Sequence, residues 1–288
     1  MSAATSGEAG LVSIIVSTYN RPAALDRVLL ACTRQDDARY EVIVADDGSK
    51  QPTRELVERH RARSRVPLIH VWHPDDGFRL AEIRNKAVNA AHGDYLVFLD
   101  GDCIPQRSFV TMHRALARPG AMVTGSRILL SQRLTQRVES QPLDLWNWSG
   151  ADWIAARMRG DVNKCLPLLL SAADLPGRAV DGFKWRSIKG CNLAAWAADV
   201  ARIDGFDSGF TSWGHEDADF VARLHHAGVG RRKGFFATEV LHLWHREAAR
   251  DGESGNYREV LRRLETRQVL PARGLAASRE DAATVVTR

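Results

Sequence analysis

The chain has 288 residues, 44% hydrophobic and 26% charged, which places it in the globular range as one large domain or two closely packed ones. No apolar run approaches the roughly 20 residues needed to span a bilayer, and the start, MSAATSGEAG, lacks the charged and apolar regions of a signal peptide, so a cytosolic chain is expected. A net charge of +5 and a pI near 9.2 favour acidic partners such as phosphates, anionic lipids or nucleic acid without choosing among them.

After a tail over residues 1–10, expected to be disordered, the first element is the β-branched run Leu11 to Val16, a buried strand. A helix follows. Asn20 can cap it, Pro22 suits its first turn, and Leu25, Val28, Leu29 and Cys32 share one face. Glu41 to Ala45 predicts a second strand, Thr53 to about Arg63 a second helix and Leu68 to Trp72 a third strand. Arg79 to Ala91 predicts a third helix with Gly93 as its stop, and Tyr95 to Leu99 a strand that ends on Asp100. This alternation implies a doubly wound, mostly parallel α/β sheet, whose ligands bind beyond the strands' carboxyl ends. The loops Ser17 to Arg21, Asp46 to Ser49 and Asp100 to Asp102 should therefore converge on one edge.

The boundaries drawn are 11–127 for a nucleotide-binding half, 128–187 for a helical and loop-rich insertion, 188–246 for an acceptor-binding half and 247–288 for a basic helix with a flexible tail. In the insertion, Trp146, Trp148 and Trp153 accompany the apolar Leu166 to Leu170. A packed helical subdomain is the preferred reading there, with an acceptor-binding or membrane-touching surface as the alternative. The helix of the last segment should run from Tyr257 to Leu270, and the final dozen or so residues read as disordered. Four scattered cysteines, Cys32, Cys103, Cys165 and Cys191, form no Cys-x-x-Cys pair and are read as reduced thiols, which argues against structural zinc.

Four patterns carry chemistry. Asp100-Gly101-Asp102 puts two carboxylates at a strand end, a set suited to Mg²⁺ or Mn²⁺ held together with substrate phosphates. Asp46-Asp47-Gly48-Ser49 is either a turn or a carboxylate site for a ribose hydroxyl or the N3–H of a uracil. Glu216-Asp217 opens a helix after Trp213, Gly214 and His215; it either stabilises the helix dipole or supplies a general base beside an acceptor-orienting carboxylate, with Trp213 free to stack on a sugar. His242 and His245 look like a ligand pair, but in an extended segment residues three apart face opposite ways, so at most one is expected at a common site.

Taken in order, these motifs resemble the inverting family-two glycosyltransferases of the GT-A fold. The resemblance rests on Val12 to Arg21, Val44 to Ser49, Arg84-Asn85 and Asp100 to Asp102, and then on Lys189 to Asn192, Gly205 to Asp207 and Trp213 to Asp217. The later group is similar to the C-terminal half of the β-1,4-galactosyltransferase and bacterial chondroitin polymerase type. Cys191 and His215 depart from it, each standing where a glycine is more usual. The resemblance implies that Thr18, Asn20, Arg21 and Asp47 frame the nucleotide, that Arg84 assists at the diphosphate, and that Asp100 meets ribose or metal. It also implies Asp102 and His242 as metal ligands with His245 as the alternative, Trp213, Gly214 and Glu216 at the acceptor, and Asp217 as the base.

The expected activity is thus metal-dependent, inverting transfer of a sugar from a nucleotide-diphosphate donor, with UDP-sugars foremost, to a hydroxyl of a glycan, lipid-linked or other acceptor. Mn²⁺ or Mg²⁺ would be the cofactor. Location is expected to be cytoplasmic, with peripheral contact at the inner face of a membrane as a variant. A nucleotidyltransferase on the same architecture is the alternative, but it leaves Glu216-Asp217 without an obvious role. A nucleic-acid-binding protein is the other, but no binding motif or dense basic patterning supports it.

Overall fold

In the computed structural model, which describes residues 8–141, 143–183, 185, 188–246, 255–280 and 282–288, strands and helices alternate through the first hundred residues. They are β1 (Val12–Thr18), α1 (Pro22–Cys32), β2 (Tyr40–Asp46), α2 (Gln51–Arg61), β3 (Leu68–Trp72), α3 (Leu80–Ala90) and β4 (Tyr95–Asp100). Because each strand is joined to the next by a helix, β3, β2, β1 and β4 lie side by side and parallel. Every residue of β1 and β2 is buried, as strands covered on both faces require.

The chain continues through β5 (Cys103–Pro105), α4 (Phe109–Leu116), β6 (Ala121–Thr124), β7 (Arg127–Leu129), α5 (Gln132–Ser140), α6 (Gly150–Met158), α7 (Leu166–Leu169) and β8 (Ala179–Val180). It then forms β9 (Asn192–Trp196), α8 (Ala197–Arg202), α9 (Glu216–His226), β10 (Gly230–Lys233), β11 (Val240–His242), α10 (Gly255–Thr266) and β12 (Val285–Thr287). The nine-stranded sheet has the order β12-β3-β2-β1-β4-β9-β6-β10-β8. In it β9 runs against β4 and β6, so the two sequence halves share one sheet. A small sheet, β5-β11-β7, stands at the end of β4.

Period-two alternation assigns the strand residues to two cores. Ile14, Val16, Val42, Val44, Val97 and Leu99 face α1, while Ile15, Ile43, Leu96 and Phe98 face α3 and α9. On the second face Phe206 and Phe220 stack at 4.0 Å, and Phe98 meets both edge-on at 5.0 and 5.6 Å. Truncating one such ring to alanine typically costs roughly 3–5 kcal/mol. This cluster fixes the start of α9 against the end of β4, and so brings Glu216 beside Asp100.

Trp148 and Trp153 lie 4.7 Å apart, Trp153 is buried, and the Trp146 indole N–H donates to the Pro105 carbonyl. Three local expectations are corrected. Asn20 does not cap α1, because it adopts a left-handed backbone (φ 48°) and its side chain accepts from the Lys50 N–H instead. The helix before Gly93 already stops at Ala90, where Ala91 turns extended. The chain's end is not a flexible tail: Val285 to Thr287 pairs antiparallel with Trp72 to His70, and β-branched residues on an open edge are well suited to that. At the other end residues 1–7 lie outside the described residues, but Ala9 is wholly buried and the Gly10 N–H donates to Asp94, so residues 8–10 are fixed.

Candidate active site

The carboxyl ends of β1, β2 and β4 do converge. Thr18 is buried, and its carbonyl accepts from the Asp47 N–H at 3.0 Å. Asn20 knits the loop after β1 to the loop after β2, its N–H donating to Ser49 Oγ at 2.8 Å while Oδ1 accepts from Lys50 N–H at 2.9 Å. The adjacent Tyr19 is half exposed and donates to Asp75 at 2.9 Å.

Asp47 is held by groups that carried no motif signal. Its Oδ1 meets His73 Nε2 at 2.7 Å and its Oδ2 accepts from the Arg79 N–H at 3.0 Å. On the far side of the ring, His73 Nδ1 lies 2.9 Å from Lys86 Nζ, and Lys86 in turn pairs with Glu82 at 3.1 Å. An ammonium can only donate, so Nδ1 accepts and the Nε2–H points at Asp47. The preceding Asp46 is a structural partner, accepting from Ser49 N–H and facing His70 Nε2 at 2.9 Å.

Arg84, expected at a diphosphate, is instead enclosed. From α3 its guanidinium donates to Ser17 Oγ at 3.1 Å, Asp100 Oδ1 at 2.9 Å and Glu216 Oε1 at 3.3 Å, and it lies 5.3 Å from the centre of the Phe206 ring. One buried cation thus joins the last residue of β4 to the first residue of α9. Burial pushes the Glu216 carboxyl up to about 7, with the charge of Asp217 adding to the shift and Arg84 opposing it. Burial likewise raises Asp100 to about 6; Arg84 opposes that rise, while Asp102 and Asp217 add to it. Glu216 Oε2 is buried without a hydrogen-bond partner, an unmet acceptor that a hydroxyl would satisfy.

Asp217 is aimed by the backbone. Its Oδ2 accepts from the Gly190 N–H at 2.7 Å and its Oδ1 from the Ala218 N–H at 2.8 Å. A Cβ on Gly190 would come within 2.7 Å of Asp217 Cβ, so a glycine there permits the approach. The residue before the pair, His215, sits in the left-handed region at φ 75°, which explains why a glycine suits this position. Trp213 is exposed on the loop just before Gly214, and Asn256 from α10 holds that loop by donating to the carbonyls of Ser212 and Gly214. Asp219, by contrast, is fully buried between Arg223 at 2.8 Å and Arg263 at 2.9 Å and is not available to a substrate.

Asp102 follows Gly101, whose missing side chain lets the turn lie against β1: a Cβ there would meet the Ser17 carbonyl at 2.7 Å. Both histidines reach Asp102. His242 Nε2 is 3.8 Å from Oδ1 and His245 Nε2 is 3.6 Å from Oδ2, so the two approach different oxygens, and only His242 joins a group of donors that lie within 4.8 Å of one another among the described residues. β11 ends at His242, so no strand pairing imposes the alternation of faces on the chain from there to His245. Arg21, expected at the nucleotide, pairs with Asp102 Oδ2 at 2.8 Å and with Glu139 at 3.4 Å. Burial lowers His242 to about 4 despite the opposing charge of Asp102, which leaves a neutral imidazole with a lone pair at neutral pH. A carboxylate with the neutral imidazole of His242 beside it is a donor set that fits a divalent cation.

The family described as "Glycosyl transferase family 2" matches residues 13–160, and that described as "N-terminal domain of galactosyltransferase" matches residues 182–246. Validoxylamine A glucosyltransferase of Streptomyces hygroscopicus subsp. jinggangensis (strain 5008) is 34% identical over 232 residues, covering 76% of this chain and 52% of that protein. Chondroitin synthase of Escherichia coli is 29% identical over 238 residues, covering 75% of this chain and 32% of that protein. The chain therefore spans about half, or less, of the length of these relatives. Among solved structures, GalNAc-T7 with UDP, GalNAc and Mn²⁺ superposes with a TM-score of 0.58 at 15% identity, covering 88% of this chain and 48% of that one.

Proposed function

Because this chain belongs to glycosyl transferase family 2 and carries the GT-A fold, we propose that it transfers a sugar from a nucleotide-diphosphate donor, foremost a UDP-sugar, to an acceptor hydroxyl with inversion. The observation that carries the reading is the junction at Arg84. It puts Asp100 from the donor half and Glu216 with Asp217 from the acceptor half on one edge of the sheet.

In this reading Thr18, Asn20 and Asp47 frame the nucleotide, and His73 and Lys86 hold the Asp47 carboxylate in place behind it. Asp102 and His242, with Asp100 and His245 close by, would hold Mn²⁺ or Mg²⁺, whose charge would offset that developing on the departing diphosphate. Arg21, now on Asp102, is near enough to turn toward a phosphate. Glu216 accepts a hydrogen bond from an acceptor hydroxyl through its unpartnered Oε2, and Trp213 offers a sugar its exposed face.

Asp217 removes the proton from the attacking hydroxyl. The oxygen then forms its bond to the anomeric carbon as the bond to the diphosphate breaks on the opposite side, and a single displacement of this kind inverts the centre. A lipid-linked acceptor or contact with a membrane surface is supported by the exposed Ile154 and Met158 of α6, Leu166 of α7 and Leu170 just beyond it. No helix among the described residues is long and apolar enough to cross a membrane.

The test is a screen of nucleotide sugars with Mn²⁺ and a panel of glycan acceptors, read as release of nucleoside diphosphate together with a glycosylated product. Pyrophosphate release from a nucleoside triphosphate and a sugar phosphate, without sugar transfer, would replace this reading with nucleotidyl transfer.

A further inference from the structure

His242 is the direct cross-strand partner of Cys103 in the antiparallel pairing of β11 with β5, and directly paired residues project their side chains from the same face. Asp102, in the turn that enters β5, curls back so that its Oδ1 lies 3.6 Å from Cys103 Sγ. The outcome is three different donors at one point. An oxygen of Asp102, the sulfur of Cys103 and a ring nitrogen of His242 all lie within 4.8 Å of one another.

We propose that Asp102, Cys103 and His242 form a thiophilic cation site that captures Zn²⁺ and in doing so arrests the donor site. A set of one sulfur, one imidazole nitrogen and one carboxylate oxygen is what Zn²⁺ accepts in tetrahedral coordination, with water as the fourth ligand. Mn²⁺ and Mg²⁺ favour oxygen donors and have little use for the thiol, whereas Zn²⁺ lies well above Mn²⁺ in affinity for nitrogen and sulfur sites. On capture the S–H bond of Cys103 breaks, an S–Zn bond forms and the proton passes to solvent. No oxidant or reductant is needed.

The arrest follows from shared ligands, and this consequence rests on the glycosyl-transfer reading given above. Asp102 and His242 are the residues offered there to the catalytic cation. Drawn onto zinc together with the buried thiol, they turn inward, toward β5 and away from the edge where a diphosphate would lie. Cys103 itself has no part in the transfer step, so it supplies zinc sensitivity without supplying catalysis.

The full-length chain is titrated with Cd²⁺, an optical stand-in for Zn²⁺ whose bond to a thiolate produces an ultraviolet charge-transfer band. The band is expected to saturate at one equivalent, to be displaced by Zn²⁺ but not by Mg²⁺, and to persist in Cys165→Ser. It should vanish in Cys103→Ser and in Cys103→Ala, with folding of both verified by circular dichroism. In transfer assays with Mn²⁺, Cys103→Ser is expected to keep wild-type turnover while the inhibitory Zn²⁺ concentration rises at least tenfold, the lower end of the loss seen when even an outer-sphere partner is removed. A band that survives in folded Cys103→Ser, or no band in the wild type, overturns the site. A zinc-displaceable band in a chain that transfers no sugar upholds the site and overturns the glycosyl-transfer reading instead.

Discussion

Arg84 of α3 donates to Glu216 Oε1 at the start of α9 at 3.3 Å, and both side chains are almost wholly buried. The same guanidinium serves Asp100, so one cation compensates a buried carboxylate and a partly exposed one. Removing one partner from a buried pair typically costs about 3–5 kcal/mol, because the remaining charge is left uncompensated. Arg84→Met should therefore lose stability of that order in urea denaturation, and the loss should be larger at pH 8 than at pH 5, where protonation can relieve the stranded carboxylates. An equal cost at both pH values would mean that Arg84 contributes through packing alone.

The raised carboxyls make stability depend on pH in a direction opposite to that of an ordinary ion-paired carboxylate. Glu216 moves from 4.5 to about 7 and Asp100 from 3.8 to about 6, so between about pH 4 and pH 7 the folded chain holds protons that the unfolded chain has released. The Glu216 contribution is fully present below its unfolded value and declines as pH rises through the folded one, by at most about 1.4 kcal/mol per pH unit, whereas Asp100, whose side chain is 36% exposed, contributes less because solvent screens it. Glu216→Gln should flatten this slope in denaturation series taken from pH 5 to pH 8. An unchanged slope would remove Glu216 from the account.

Metal dependence should divide unequally between the two histidines. His242 is mostly buried, is held neutral and lies in the register of β11, whereas His245 is well exposed beyond the strand's end. A ligand that the fold has already ordered loses less entropy on binding. Calorimetry of UDP with Mn²⁺ should show a weakening on the order of tenfold or more for His242→Ala and Asp102→Asn, and a smaller one for His245→Ala. Identical UDP affinity with and without chelator in the wild type would remove the cation from the donor site.

What the sequence disclosed, and what it hid, follows from how far each signal reaches along the chain. The apolar runs that became β1, β2 and β4 are local, and the rule that ligands gather at carboxyl ends then locates Asp47, Asp100 and Asp102. His73 and Lys86 were not legible, because their role depends on Asp47 being brought to them from another strand. The enclosure of Arg84 was hidden for a similar reason, since Glu216 arrives from far along the chain. For the two histidines the local rule of alternating faces reaches only as far as the last residue of β11, so it could not place His245 near Asp102. Val285 to Thr287 went unnoticed because a three-residue strand in a polar tail gains its meaning only from the open edge of β3.

Asp217 offers the sharpest separation of binding from chemistry. Both of its oxygens accept backbone N–H groups, from Gly190 and from Ala218, and an asparagine has only one oxygen with which to replace them. Asp217→Asn should therefore lose a hydrogen bond, at a cost of about 1–3 kcal/mol in stability, as well as the carboxylate that takes the proton. Donor affinity should hardly change, because Thr18, Asn20 and Asp47, proposed to frame the nucleotide, lie at or just beyond the ends of β1 and β2. Transfer should fall on the order of a hundredfold or more, in kcat rather than in the donor KM. A purely structural Asp217, one that only favours the start of α9, predicts the stability loss with near-normal turnover in the fraction that remains folded. Gly190→Ala supplies an independent arm. It leaves the carboxylate chemically intact but crowds Asp217 Cβ from 2.7 Å, and should likewise lower kcat while sparing donor binding. If both variants fold and transfer at wild-type rates, Asp217 is not the base. The proton would then pass to Glu216, whose Oε2 has no hydrogen-bond partner, rather than to Asp219, which is ion-paired with two arginines.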